Sequence, residues 1–356
     1  MRGAPASETA RPDRRLSGPV TGSRPLVIVL AATMVTLAGC GSGRQGGGTR
    51  RPALQVGYAF AYDAGDVADR IAFARLRRRS GIAVRIRYLG GVADAVVALV
   101  RGDVQLATMP YSTAIRAVDE GAHLRVVLGA NMASDFLLVA RPGTESVEAL
   151  RGRRVGYDQP GLDGETLVRE ALARAGVPIS DVKLSALGEP SARADALAAG
   201  KVDAAVLDEA GYQQLLGRGR SLVVLARLAD VRPRSAQTVW VVSQSYERTH
   251  RAQLRRVVDG LLAGYAFVYT PAGRRTWIEA ARRSALRGRD ARLAPRLYAD
   301  YHRTRSWPLR GEPVTPAQHA RTVRFWIHAH ELDKPVPYAR VWDSSFWRRA
   351  AAAYAR

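Results

Sequence analysis

From Ala53 onward, short runs of aliphatic and β-branched residues alternate with longer stretches whose apolar positions recur every three to four residues. Leu54–Ala59 reads as a strand. Over Asp66–Ser80 the apolar face holds Val67, Ile71 and Leu76, which predicts a helix. Ile82–Leu89 alternates as a strand, Val92–Val100 is helical, Gln105–Met109 is a strand, Ser112–Glu120 a helix and Arg125–Leu128 a strand. Strands separated by single helices predict parallel βαβ units.

The same order then recurs. Val56-Gly57-Tyr58 returns as Val155-Gly156-Tyr157, Gly102-Asp103-Val104-Gln105 is answered by Gly200-Lys201-Val202-Asp203, and Val126-Val127-Leu128 by Val223-Val224-Leu225, at offsets of 99, 98 and 97. Three short matches in order at nearly constant spacing indicate a repeated unit. They predict an α/β chain of two parallel-rich lobes, each of about a hundred residues. Phe136–Ala140 and Thr238–Val242 are apolar strands placed to pair as a hinge. The expected division is residues 53–135 and 232–356 for lobe 1 with its C-terminal helices, and 136–231 for lobe 2. Helices are expected near 250–270, 271–286, 290–304, 316–332 and 344–355, with breaks at Pro271 and Pro308. Their tryptophans, Trp277, Trp307, Trp326, Trp342 and Trp347, read as core.

The N-terminus follows a different rule. Residues 1–24 are polar and carry five arginines, and Leu26–Leu37 has no charge. A basic stretch before a short apolar core is an export signal. It ends in Leu37-Ala38-Gly39-Cys40, which resembles the lipobox of bacterial lipoproteins. That resemblance implies cleavage after residue 39, lipidation of Cys40 and a Gly-rich tether over residues 40–52. The mature protein would then be exported and lipid-anchored to the outer face of the cytoplasmic membrane. Arg14-Arg15 leaves Sec or twin-arginine export open.

A net charge of +22 alone suggests nucleic acid, but all except three of the 54 basic residues are arginine and they are scattered. With no zinc-finger or aromatic-basic motif, no nucleic-acid partner is expected. A single cysteine rules out an intramolecular disulfide framework and a CxxC redox pair. No HExxH, GxSxG or P-loop is present. His328-Ala329-His330-Glu331, expected on a helix, would place its two histidines on different faces. Neither a metal, a cofactor nor an enzymatic activity is expected.

Several segments, in their order, resemble the solute-binding lipoproteins of ABC importers of the nitrate/sulfonate/taurine and thiamine-pyrimidine type. They are Gly90-Gly91 with Leu99–Val104, Leu150–Gly156 and Leu197–Ala204. The resemblance spans roughly residues 53–350. It implies a type II periplasmic-binding-protein fold, a small organic nitrogen- or sulfur-containing ligand held between closing lobes, and a membrane permease with its ATPase as partners of a monomer. A binding lipoprotein without a transporter, or a pyrimidine-metabolism enzyme on the same fold, are the alternatives.

In open parallel sheets, ligands bind beyond the carboxyl ends of the strands, near helix N-termini. Five loops qualify. They offer Phe60, Tyr62 and Asp63; Gly90 and Gly91; Tyr111 and Ser112; Gly161, Asp163 and Thr166; and Asp208 with Glu209. Asp208 or Glu209 reads equally as a helix cap, Gly90-Gly91 as a tight turn, and Tyr58 as core. The fourth loop also carries Asp158 and Glu165, so the ligand is expected to be neutral or cationic and to contain nitrogen.

Overall fold

The structure, a computed structural model, describes residues 53–308 and 314–354. The expected signal peptide, tether and Cys40 lie outside these residues. The first half runs β1 (Leu54–Tyr58), α1 (Val67–Ser80), β2 (Val84–Tyr88), α2 (Val92–Arg101), β3 (Leu106–Pro110), α3 (Tyr111–Asp119) and β4 (Leu124–Asn131). The second runs β5 (Leu137–Ala140), β6 (Arg154–Tyr157), α4 (Asp163–Arg174), β7 (Lys183–Ala186), α5 (Pro190–Ala198), β8 (Ala204–Leu207), α6 (Glu209–Gly217) and β9 (Val223–Arg227). A short α7 (Leu228–Val231) precedes β10 (Thr238–Ser243).

Two five-stranded sheets result, ordered β2-β1-β3-β10-β4 and β7-β6-β8-β5-β9. The orders superimpose strand for strand, and each sequence echo falls on an equivalent pair or on the turn leading into one. Gly57 and Gly156 show why these positions agree. A Cβ there would stand 2.9 Å from the Leu89 side chain and 2.7 Å from that of Leu187, so each sheet needs glycine where a leucine crosses the strand. Helices cover both faces of both sheets, which explains the continuously apolar strands.

The hinge differs from the expected pairing. β5 runs antiparallel between β8 and β9, and β10 runs antiparallel between β3 and β4, so the two strands belong to different sheets. What runs side by side is the pair of connections leading into them. Gln237 N–H donates to Asn131 O (2.8 Å) at one end, and Leu228 N–H donates to Phe136 O (2.9 Å) at the other.

After β10 the chain is helical: α8 (Gln244–Thr249), α9 (Arg251–Val268), α10 (Pro271–Ser284), α11 (Ala294–Thr304), α12 (Pro316–His328), α13 (Tyr338–Val341) and α14 (Ser345–Tyr354). α9 packs along α1. Trp277, Trp307, Trp326 and Trp342 are buried and Trp347 is half-buried, all against the cores of the first sheet. α12 ends four residues earlier than its apolar pattern suggests, because His330 turns into the left-handed region (φ 59°) and Glu331 N–H closes back on Trp326 O. No helix among the described residues is long and apolar enough to cross a membrane.

Candidate functional site

Between the sheets lies a cavity of about 170 Å³. That is smaller than the roughly 300–1,000 Å³ of sites for drug-sized ligands, so it suits a small solute. The loop after β1 and the start of α1 bring Asp63, Asp66 and Asp69 to it. The first connection brings Asp135, and the loops after β6 and β8 bring Asp158, Asp163 and Asp208. Phe60, Phe136, Tyr301 and Trp307 supply aromatic wall.

Local folding fixes each carboxylate. Asp63 accepts from Gly65 N–H (2.6 Å), and Asp66 accepts from Asp63 N–H (3.2 Å). Asp69 is buried and takes two phenols, Tyr58 at 3.0 Å and Tyr265 at 2.5 Å, with Trp240 Nε1–H donating to Tyr265. Asp158 accepts from Gly164 and Glu165 N–H at the start of α4. Asp163 pairs with the equally buried Arg232 (3.0 Å), tying the second connection to α4. Asp208 caps α6 through Gly211 N–H (2.7 Å) and faces the cavity as well, so its two readings hold together. With its amide turned to satisfy its neighbours, Gln237 donates to Asp135 (3.2 Å).

These acids crowd one another away from bulk water. Burial, with repulsion from Asp208, pushes Asp63 up to about 7 and Asp135 up to about 8. Burial raises Asp69 to about 7 against the two tyrosine hydrogen bonds, and Asp158 to about 6 against Arg193. Asp66 is raised well above the usual carboxylate range by burial, then by Asp63 and Asp69. Among the described residues, no group of three or more His, Cys, Asp or Glu is arranged to hold a metal ion.

Of the residues singled out from sequence, Phe60, Asp63, Asp163 and Asp208 line this cavity together. Tyr62 faces α10, where its hydroxyl meets Ser284 (2.9 Å) and Arg70 stacks on its ring. Gly90 and Gly91 form the turn into α2. Tyr111 is buried, with its hydroxyl bonded to His319 and to Trp342 Nε1–H, and Ser112 is buried beside it. Glu209 lies in the first turn of α6 and accepts from Gln213.

Gly161 lines a second, larger groove region of about 930 Å³ formed by α3, α4 and the segment after α12, and the buried Thr166 touches it only through Glu331. Arg116 donates there to Gly161 O (2.6 Å) and pairs with Glu331 (2.9 Å). Thr166 Oγ1 donates to Glu331 (3.4 Å) across the same contact. Gly161 has φ 74° and presses directly on the Arg116 guanidinium, so it serves this contact. Asp66, Asp135, Arg193 and Tyr301 escaped the sequence reading. Asp66 was counted as the first residue of the expected helix, and the others stand outside the strand-end loops.

The NMT1/THI5-like family model matches residues 78–272, more than half of the chain. The chain belongs to the NMT1/THI5-like family. No curated protein sequence matches this family member. Its fold is that of two-lobed periplasmic binding proteins. One similar structure is the alkanesulfonate-binding protein SsuA of Xanthomonas axonopodis pv. citri bound to MOPS: 21% identity, 83% of this chain and 99% of that one, TM-score 0.65. Another is the periplasmic nitrate-binding protein NrtA of Synechocystis PCC 6803, with 10% identity, 85% and 88% coverage and TM-score 0.67. A third is the ligand-binding component of an ABC-type import system from Staphylococcus aureus with zinc bound, with 13% identity, 84% and 98% coverage and TM-score 0.68.

Proposed function

We propose that this NMT1/THI5-like protein is the exported, lipid-anchored solute-binding component of an ABC importer, capturing a small organic cation that contains nitrogen. The observation that carries the reading is the set of carboxylates that both lobes turn into one small cavity, above all Asp63, Asp135 and Asp208. Such a group repels an anion such as sulfonate or nitrate, and an ammonium or amidinium group relieves its mutual repulsion. Phe60, Tyr301 and Trp307 line the same cavity, where an aromatic ring can add to the attraction of a cation.

Closure follows from differential affinity. A cation held by Asp63 and Asp66 gains Asp158 and Asp208 only when the second lobe comes down, so binding favours the closed form. The hinge lies in the two connections around residues 135/136 and 231/232, and the closed monomer docks on a permease. Cys40 carries the lipid that keeps the protein near it. Thermal-shift and calorimetric measurements with small amines, amidines, sulfonates and nitrate test this reading. Amines or amidines should raise the melting temperature by mass action. Stabilisation by sulfonate or nitrate alone would overturn it. For the anchor, Cys40→Ala should release the protein from membranes.

A further inference from the structure

The cavity has a second pole that the carboxylates do not explain. Arg193, in α5, is the one basic residue among those that line it, and it is 1% exposed. Its Nη1 donates to Gly188 O (2.8 Å), and its guanidinium stands 5.6 Å from the Phe136 ring on the first connection. Nε and Nη2 have no partner. Asp158, which Arg193 pulls down against burial, is already engaged by the N–H groups of Gly164 and Glu165. A buried, always-charged guanidinium with two N–H groups unpartnered is costly to fold unless something accepts from them.

We infer that the solute is a zwitterion, an amino carboxylate whose ammonium group sits among Asp63, Asp135 and Asp208 and whose carboxylate takes the Nε and Nη2 protons of Arg193. This rests on the cationic reading above and adds the opposite charge to it. The two empty donors lie on the same side of a planar fork, the arrangement that a carboxylate fills with two parallel hydrogen bonds. Asp63 and Asp135 belong to the first lobe and its connection, and Arg193 to the second. The ammonium end therefore meets carboxylates of both lobes, because Asp208 follows β8 of the second sheet, while the carboxylate end meets the second lobe alone.

The test is isothermal calorimetry on the detergent-solubilised full chain. The probes are straight-chain ω-amino acids from glycine to 6-aminohexanoate and n-alkylamines of matching length. At least one amino acid should bind about 30-fold or more tightly than its amine, in line with a charge-assisted bidentate contact. In Arg193→Gln that ratio should fall below about three, and Arg193→Lys should recover part of it. The wild-type ratio decides the matter even if a variant folds poorly. Amines that bind as tightly as every amino acid would overturn the zwitterion and leave the cationic site standing. Failure of both series would overturn both.

Discussion

The two lobes meet in two regions that treat charge in opposite ways. Around Arg116, opposite charges satisfy one another: the guanidinium holds Glu331 and a carbonyl of the facing loop, and Arg169 holds Glu165. In the smaller cavity, carboxylates face carboxylates, and apart from Asp163, which pairs with Arg232, their partners are backbone N–H groups, phenols and one amide. The larger volume belongs to the first region, the unsatisfied electrostatics to the second. Paired charge positions the lobes, whereas carboxylates short of counter-charge are what a ligand can relieve, so size is the poorer guide to the site.

The sharpest way to break this contrast is to remove one carboxylate. Asp135→Asn should weaken binding of a small amine roughly 30- to 1,000-fold, the range for truncating one partner of a buried charge contact. The same change should stabilise the empty protein at pH 8, raising Tm by about 2–4 °C for each kcal/mol of repulsion relieved. Calorimetry and melting curves on one sample read both. Loss of stability together with affinity would show that Asp135 is structural.

Proton linkage comes next. Asp63 and Asp135 have folded values of about 7 and about 8 against 3.8 for a free carboxyl, so the folded state holds protons that the unfolded chain has lost. Their contribution to stability is full below about pH 4 and disappears as pH rises through 7 and 8. The empty protein should therefore melt progressively lower between pH 5 and 8. Amine binding requires the ionised forms, so affinity should rise about tenfold or more over that interval, with proton release detectable as a buffer-dependent binding enthalpy. A flat profile would sink the carboxylate cavity as the site.

On the other side of the comparison, Arg116→Ala should reduce affinity only about three- to tenfold, because a half-exposed ion pair contributes on the order of 1 kcal/mol to the closed form. It should act on all ligands alike. A change in ligand preference would place Arg116 at the ligand. The smallest effect is expected for Tyr62→Phe. It removes a hydroxyl bonded to Ser284 on the α10 side and should leave affinity within about twofold.

The repeat in the sequence revealed the architecture because each echo marks a place where both sheets meet the same steric demand, as Gly57 and Gly156 do beneath Leu89 and Leu187. The start of α12 fell where its pattern put it, at Pro316 behind the Thr315 cap, whereas α8, capped by Ser243, went unread. The candidate cavity was visible only where it follows the strand-end rule, at Phe60, Asp63, Asp158, Asp163 and Asp208. Tyr111 and Ser112 obey that rule too, yet turn into the core under Trp342 and His319. A loop's place in the topology does not fix the direction of its side chains. Asp135 and Tyr301 come from a connection and from the C-terminal helices. Only the fold brings them beside the first loop, across more than 70 residues in one case and 230 in the other.

The slot that β10 fills has a consequence for how the molecule is made. β3 and β4 follow one another in sequence but do not touch; the strand between them arrives 107 residues after β4 ends, once the chain has traced the whole opposite sheet. Until then the first sheet is split, with two raw edges exposed. Its completion depends on a contact of high sequence separation, so it should be the slow, late event of assembly. A chain threaded outward from its N-terminus would cross the membrane long before its first sheet could be sealed. No single cut of the polypeptide could yield that sheet as an intact fragment.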